Sequence, residues 1–292
     1  MGPQLIVNSL SAACTVFLFA VGFAVVYEVT RFLHFGHGVV FTAAAYFVFG
    51  FRVWLGLPLF LSVPFSVALC ALLGCSLEVT VYSRVRRRGA PSHVLLLASL
   101  GVYIVLQNII SMVFGDDIKS IRSGIVKEGM NFLGARITPA QVLTLCTAAL
   151  LVAAVGLFFK KTKMGRAMCA VANDPALASV SGIDSDRVAL WAFAIGSALA
   201  GIAGILVALD VDMTPTMGLR ALMMGIVAVI IGGAGSIPGI ALGALLLGTA
   251  QQFGVWKIGS QWQDAIAFGI LLAFLLLRPQ GFLGREVRKA TV

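Results

Sequence analysis

The run ALMMGIVAVIIGGAGSIPGIALGALLLGTAQQFGVW, residues 221–256, carries no charge over 36 positions. As one helix it would extend ~54 Å at ~1.5 Å per residue. The hydrocarbon core of a bilayer is only ~30 Å thick, so one crossing is excluded. Gly232-Gly233-Ala234-Gly235-Ser236-Ile237-Pro238-Gly239 stands in its middle, and that composition breaks a helix. The run therefore divides into apolar segments 221–234 and 238–256.

The rest of the chain repeats the theme. Uncharged stretches span 1–27, 32–51, 53–77, 89–115, 137–159 and 188–209, and an apolar run at 265–277 predicts a helix starting nearer Trp262. Hydrophobic residues make up 60% of the 292 and charged residues 11%, against about 25% charged in an ordinary soluble domain. Mean hydropathy is +1.01. A soluble chain could not hide this much apolar surface, so a soluble enzyme, a disordered chain and a nucleic-acid-binding domain are excluded. The expected fold is an all-α polytopic membrane protein with eight to nine transmembrane segments, of which 36–51 and 221–234 are short or broken. The N-terminus has no cationic region and no small-residue cleavage site, which argues against a cleaved signal. The five cysteines have neither metal-ligand nor disulfide spacing and read as small apolar packing residues.

The net charge of +9 sits between apolar runs, where it sets topology. Loop 84–92 has Arg84, Arg86, Arg87 and Arg88 without an acid; loop 159–187 has Lys160, Lys161, Lys163, Arg166 and Arg187; the tail has Arg278, Arg285, Arg288 and Lys289. These are expected on the cytoplasmic side. Loop 115–138 is balanced, with Asp116, Asp117 and Glu128 against Lys119, Arg122, Lys127 and Arg136, and is expected outside. The N-terminus then lies outside and the C-terminus inside, which requires an odd number of crossings.

Small residues recur every four positions at Gly196, Ala200 and Gly204, and again at Gly239 and Gly243. Such stripes let helices approach closely in lipid. Each half of the chain also has a long helix, a polar Gly-containing break (34–38; 212–218) and a short apolar run, a loose echo that a parallel or inverted repeat would produce.

Several chemistries have no sequence support. The Gly-rich segment lacks the Lys of a phosphate loop, so ATP would be hydrolysed by another chain. His34 and His37 are three apart without a Glu between them, which gives little support for a metal site, and no Gly-x-Ser-x-Gly nucleophile motif occurs. Glu28, Arg31, Glu78, Asp210 and Asp212 all fall near span ends, where a charge is tolerated, so a proton relay across the midplane lacks carriers.

Loop 159–187 is polar enough to leave the membrane. Met164 to Ala172 predicts a short helix; Asp174 is placed to cap a second, with Pro175 at its first position, Ala176 to Ser181 as its body and Gly182 as its stop. A compact helical hairpin results. It reads either as an amphipathic connector or as a docking element for a soluble partner.

At these residues the chain resembles a family. Thr162-Lys163-Met164-Gly165-Arg166-Ala167, then Ala172-Asn173-Asp174-Pro175, Ala178, Gly182-Ile183 and Asp186-Arg187-Val188, resembles the coupling loop of branched-chain amino acid ABC permeases of the LivH type. Val21-Gly22-Phe23, Val26-Tyr27, Phe35-Gly36-His37-Gly38, Pro215-Thr216-Met217-Gly218, the Gly232–Gly239 segment and the close Arg278-Pro279-Gln280-Gly281-Phe282-Leu283-Gly284-Arg285 are similar to that family's motifs in the same order. Departures bear on cargo. The family usually has Asn at the place of His34, a polar residue at Val39, Lys at Met224 and a second Arg at Cys169.

The resemblance implies a non-catalytic permease subunit, residues 1–292, in a bacterial cytoplasmic (inner) membrane. Its partners would be a second, LivM-like permease, two ABC ATPases that bind the ATP and Mg, and a periplasmic or extracellular solute-binding protein. No cofactor is expected in this chain, nor nucleic acid; membrane lipid surrounds it. The cargo would be branched-chain amino acids or other small polar solutes such as urea, amides or aromatic carboxylates. Gly165, Arg166, Ala167, Asp174, Pro175 and Gly182 would couple to the ATPases. The translocation path would involve the break at Gly36, His37 and Gly38, with its helix N-terminus favouring a carboxylate or amide oxygen, and Thr42, Gln107, Asn108, Thr214, Thr216, Gln251 and Gln252. The alternative is an ion-coupled secondary transporter or channel.

Overall fold

The computed structural model describes residues 2–121, 129–132 and 134–284. Arg122, Lys127 and Glu128 of loop 115–138, and Arg285, Arg288 and Lys289 of the tail, lie outside the described residues.

Twelve α-helices account for nearly all of the described chain: α1 (Gly2–Thr30), α2 (Gly36–Val53), α3 (Leu59–Leu77), α4 (Ser83–Arg87), α5 (Ser92–Phe114), α6 (Pro139–Lys161), α7 (Lys163–Asn173), α8 (Pro175–Val180), α9 (Ser185–Asp210), α10 (Met217–Gly232), α11 (Ile237–Lys257) and α12 (Gln263–Leu277). Eight helical segments among the described residues are long and apolar enough to cross a membrane, and α10 is a shorter ninth apolar helix.

Helix boundaries follow local chemistry. Thr138 and Gln141 form a reciprocal capping box at the start of α6, with Pro139 in the first turn. The 221–256 run breaks as its glycines require. Gly233 (φ +91°) and Gly235 (φ +83°) take left-handed backbone, and Ser236 Oγ then accepts the Gly239 N–H at 3.2 Å to start α11.

The basic segment at 84–92 is a correction to the expected loop. Helix α3 continues through a π-helical segment, Glu78–Tyr82, into α4, and only Arg88 onward turns away. Arg86 and Arg87 are held by carboxylates, which fixes the last turn.

The centre of the bundle is α1, α2, α9 and α10. Helix α1 packs on α9, α10 and α11; α2 packs on α3, α5, α9 and α10. Their contact faces use small residues, as the fourfold spacing predicts: a Cβ on Gly196 would fall 2.7 Å from the Gly22 carbonyl oxygen, and one on Gly204 2.1 Å from that of Phe41. Helices α3, α5, α6 and α12 stand outside this centre, with exposed apolar side chains such as Phe60, Met112, Leu150 and Leu277 suited to lipid.

Two further features lock the bundle. The backbone N–H groups of Phe282 and Leu283 donate to the Ile231 and Gly232 carbonyls at 2.8 and 3.1 Å, satisfying acceptors at the C-terminus of α10. Loop 115–138, expected as plain loop, holds an antiparallel hairpin of β1 (Met130–Phe132) and β2 (Ala135–Ile137). The Gln4 side chain bonds both backbone groups of Arg136, and Lys119 exchanges two backbone hydrogen bonds with Met213. The strand residues are too few to leave a periodic signal.

Candidate functional site: a clamped helical hairpin and two facing helix breaks

The hairpin between α6 and α9 has the predicted two helices. Thr162 Oγ1 accepts the Gly165 N–H at 2.9 Å and caps α7. Gly165, Met168 and Val171 face inward, and Gly165 lies so close to the end of α6 that a Cβ would be 2.4 Å from the Phe158 carbonyl oxygen. Asp174 Oδ1 accepts the N–H groups of Ala176 and Leu177 at 2.9 and 3.0 Å, so it caps α8 with Pro175 in the first turn. Gly182 takes φ +80° and ends the hairpin. Asp184 adds a cap not expected from the sequence, accepting from Asp186 and Arg187 at the start of α9.

The hairpin's two faces differ. Arg166, Cys169, Asp174 and Pro175 are exposed, Ala167 is half-buried, and Leu177 and Val180 are 64% and 87% exposed on α8. Apolar side chains left this open, next to polar ones, suit a protein partner.

Two ionic anchors fasten the hairpin to the bundle. At the end of α7, the Arg31 guanidinium donates to the Ala172 carbonyl and pairs with Glu28 at 3.3 Å. At the start of α9, Asp186 receives Arg86 at 3.1 Å and Arg87 at 3.0 Å, and Arg86 also binds Glu78. Glu78 is 2% exposed. This revises its expected place in interfacial water: the carboxylate is inside and neutralised by Arg86. The signals are present in the sequence, but there Arg86 and Arg87 read as topology and Asp186 as part of a family motif, not as a pair.

The break before α2 lies deep in the bundle. After Thr30 the chain doubles back along α1, so that a Cβ on Gly22 would be 3.2 Å from His37 Nε2. His34 and His37 are fully buried, with ring centroids 6.0 Å apart, among Phe19, Phe23, Phe32, Tyr82 and Phe193. No group of three or more His, Cys, Asp or Glu gathers around a common point among the described residues.

The second break, before α10, meets the first. A Cβ on Gly38 would be 2.7 Å from the Gly218 carbonyl oxygen, and one on Gly218 would be 2.0 Å from that of Gly38 and 2.4 Å from Thr42 Oγ1. The first turns of α2 and α10 are thus packed backbone to backbone.

The remaining path candidates are spread over several helices. Thr42 is buried and donates to Gly38 O at 3.3 Å. Gln251 is buried and donates to Met224 Sδ at 3.1 Å. Thr214 and Thr216 sit 3.4 Å apart in the second break. Gln107 is half-buried, whereas Asn108 is exposed and bonded to Ile104 O of its own helix; Gln252 is half-buried on α11. Val39 lines a wholly apolar groove of about 380 Å³ between α2, α3 and α5.

Residues 5–275 match the profile of a family described as branched-chain amino acid transport system / permease component. The chain belongs to this permease family. It is 33% identical to the high-affinity branched-chain amino acid transport system permease protein BraD of Pseudomonas aeruginosa, over 98% of this chain and 97% of BraD. It is 32% identical to the corresponding protein LivH of Escherichia coli K12, with the same coverage of each chain. Among solved structures, that of PsaBC from Streptococcus pneumoniae in complex with Fab superimposes with a TM-score of 0.52 at 14% identity, covering 94% of this chain and 91% of the other, which is a likeness of fold. The chain is thus an ABC-transporter permease component, a multi-pass protein of the inner membrane.

Proposed function

We propose that this chain forms half of the transmembrane path of an importer, and that two separate ABC ATPases drive it by gripping the α7–α8 hairpin. The ATPases bind ATP and Mg; this chain supplies no cofactor. A second permease completes the path, and a solute-binding protein delivers cargo to the face carrying the β1–β2 hairpin. The N-terminus is then outside and the hairpin, with the C-terminus, is cytoplasmic, as the excess of Lys and Arg supports.

The observation that carries this reading is the hairpin itself. It is capped at Thr162, Asp174 and Asp184, packed through Gly165 and ion-paired to the bundle, yet its outer side leaves Arg166, Leu177 and Val180 open. A rigid element fixed to the bundle on one side and open to a partner on the other transmits that partner's motion as a body.

Branched-chain amino acids are the cargo named for the relatives. The replacement of polar family residues by Val39 and Met224 supports widening that class to urea, short amides and aromatic carboxylates. Met224 already binds Gln251, so its neighbourhood offers an amide rather than a charge. A secondary transporter would need no ATPase at the hairpin.

Co-purification with the ATPases tests the proposal. The full chain should retain them and a chain lacking residues 164–182 should lose them while staying in the membrane. Retention by the deleted chain would refute it.

A further inference from the structure

Arg31 combines two features that no other described residue shares. It is the only described non-glycine residue with positive φ, at +56°. Its guanidinium also reaches 141 positions along the chain to the Ala172 carbonyl, one of the last acceptors of α7. A left-handed conformation is strained for a side chain of this size, so the surrounding contacts must hold it. Three contacts do so: the Arg31 N–H donates to Tyr27 O at 2.8 Å, Glu28 pairs with the guanidinium at 3.3 Å, and Ala172 O takes a donor from its far end. A cation at this position also complements the C-terminal dipole of α7.

The position of Arg31 gives the clamp a direction. Four residues separate it from Gly36, where α2 begins, and α2 meets α10 at Gly38 and Gly218. Glu28 in turn lies beside the Gly235 turn that joins α10 to α11, at 3.4 Å from a Cβ there. Displacement of α7 thus pulls on the connection that feeds the first break and, through Glu28, on the end of the helix that bears the second.

We propose that Arg31 is the positioning residue that transmits movement of the hairpin to the paired breaks, so that its loss uncouples ATP hydrolysis from solute movement without loosening the ATPases. The inference rests on the hairpin being the ATPase dock, and the two can fail separately.

The test uses the complete transporter in vesicles, loaded with the solute its binding protein carries, with uptake and ATP hydrolysis measured together. Arg31→Gly keeps the turn, because glycine adopts this backbone freely, and removes only the clamp. The ATPases should co-purify as with the unaltered chain, while solute moved per ATP falls about tenfold, the scale of a typical coupling between sites. Arg31→Asn, which also tolerates left-handed backbone but cannot reach Ala172, should give the same ratio, and Arg31→Lys should restore most of it. An unchanged ratio in Arg31→Gly and Arg31→Asn overturns the clamp. Loss of ATPase binding in those variants also overturns it, since Arg31 would then shape the dock. Retention of ATPases after deletion of 164–182 overturns the docking reading instead.

Discussion

Gly38 and Gly218, 180 positions apart in the chain, touch backbone to backbone where α2 and α10 begin. Both follow a polar break, and each carbonyl fills the space a methyl group would need on the other. The junction therefore has no tolerance for side chains. Gly218→Ala should destabilise the folded protein by ~1–3 kcal/mol, the usual cost of overpacking. Gly38→Ala should cost less, because its nearest contact is longer, 2.7 against 2.0 Å. Thermal unfolding in detergent checks the order; equal stability of both variants and the unaltered protein would contradict the packing.

Gly165 makes a similar approach to the Phe158 carbonyl, at 2.4 Å for a built Cβ, but at the hairpin rather than in the bundle. Gly165→Pro should abolish uptake while the protein still reaches the membrane. Normal uptake by this variant would refute the rigid hairpin.

The Glu78–Arg86–Asp186 network should respond asymmetrically. Removing the buried Glu78 carboxylate takes away one of the two carboxylates on Arg86 and leaves Asp186, so the cost should fall below the ~3 kcal/mol of a fully broken buried pair, all the more because the Arg86 side chain keeps 29% exposure. Arg87→Ala should cost under about 1 kcal/mol, since Arg87 is 70% exposed. Chemical denaturation of Glu78→Gln and Arg87→Ala distinguishes them, and an equal loss would contradict the burial assigned to Glu78.

Asp174 caps α8 through two backbone N–H groups. Asp174→Ala should weaken that six-residue helix by ~1 kcal/mol. Hydrogen exchange over 176–180 should accelerate while the central helices stay protected; unchanged exchange would contradict the capping role of Asp174.

Much of this was legible in the sequence. Uncharged length located the spans, and Asp174-Pro175 with Gly182 gave the hairpin, because caps and stops are local chemistry. The break at 232–239 was equally local. What the sequence hid was non-local. The Arg31–Ala172 bond and the Arg86–Asp186 pair join residues more than 90 positions apart, and charge patterning assigns such residues to a side of the membrane without naming partners. The β1–β2 hairpin has three residues per strand, too short for an alternation to register. The path candidates were chosen as polar residues within apolar helices. The fold uses several of them, Thr42 and Gln251 among them, to bond their own or a neighbouring helix.

The proposed gate, worked by nucleotide energy from other subunits, has a direct test. The direct measurement is solute accumulation in reconstituted vesicles. With the second permease, the ATPases and the binding protein present, accumulation should require ATP and should persist when ion gradients are collapsed. Uphill accumulation by this chain alone, driven by an ion gradient and indifferent to ATP, would contradict it.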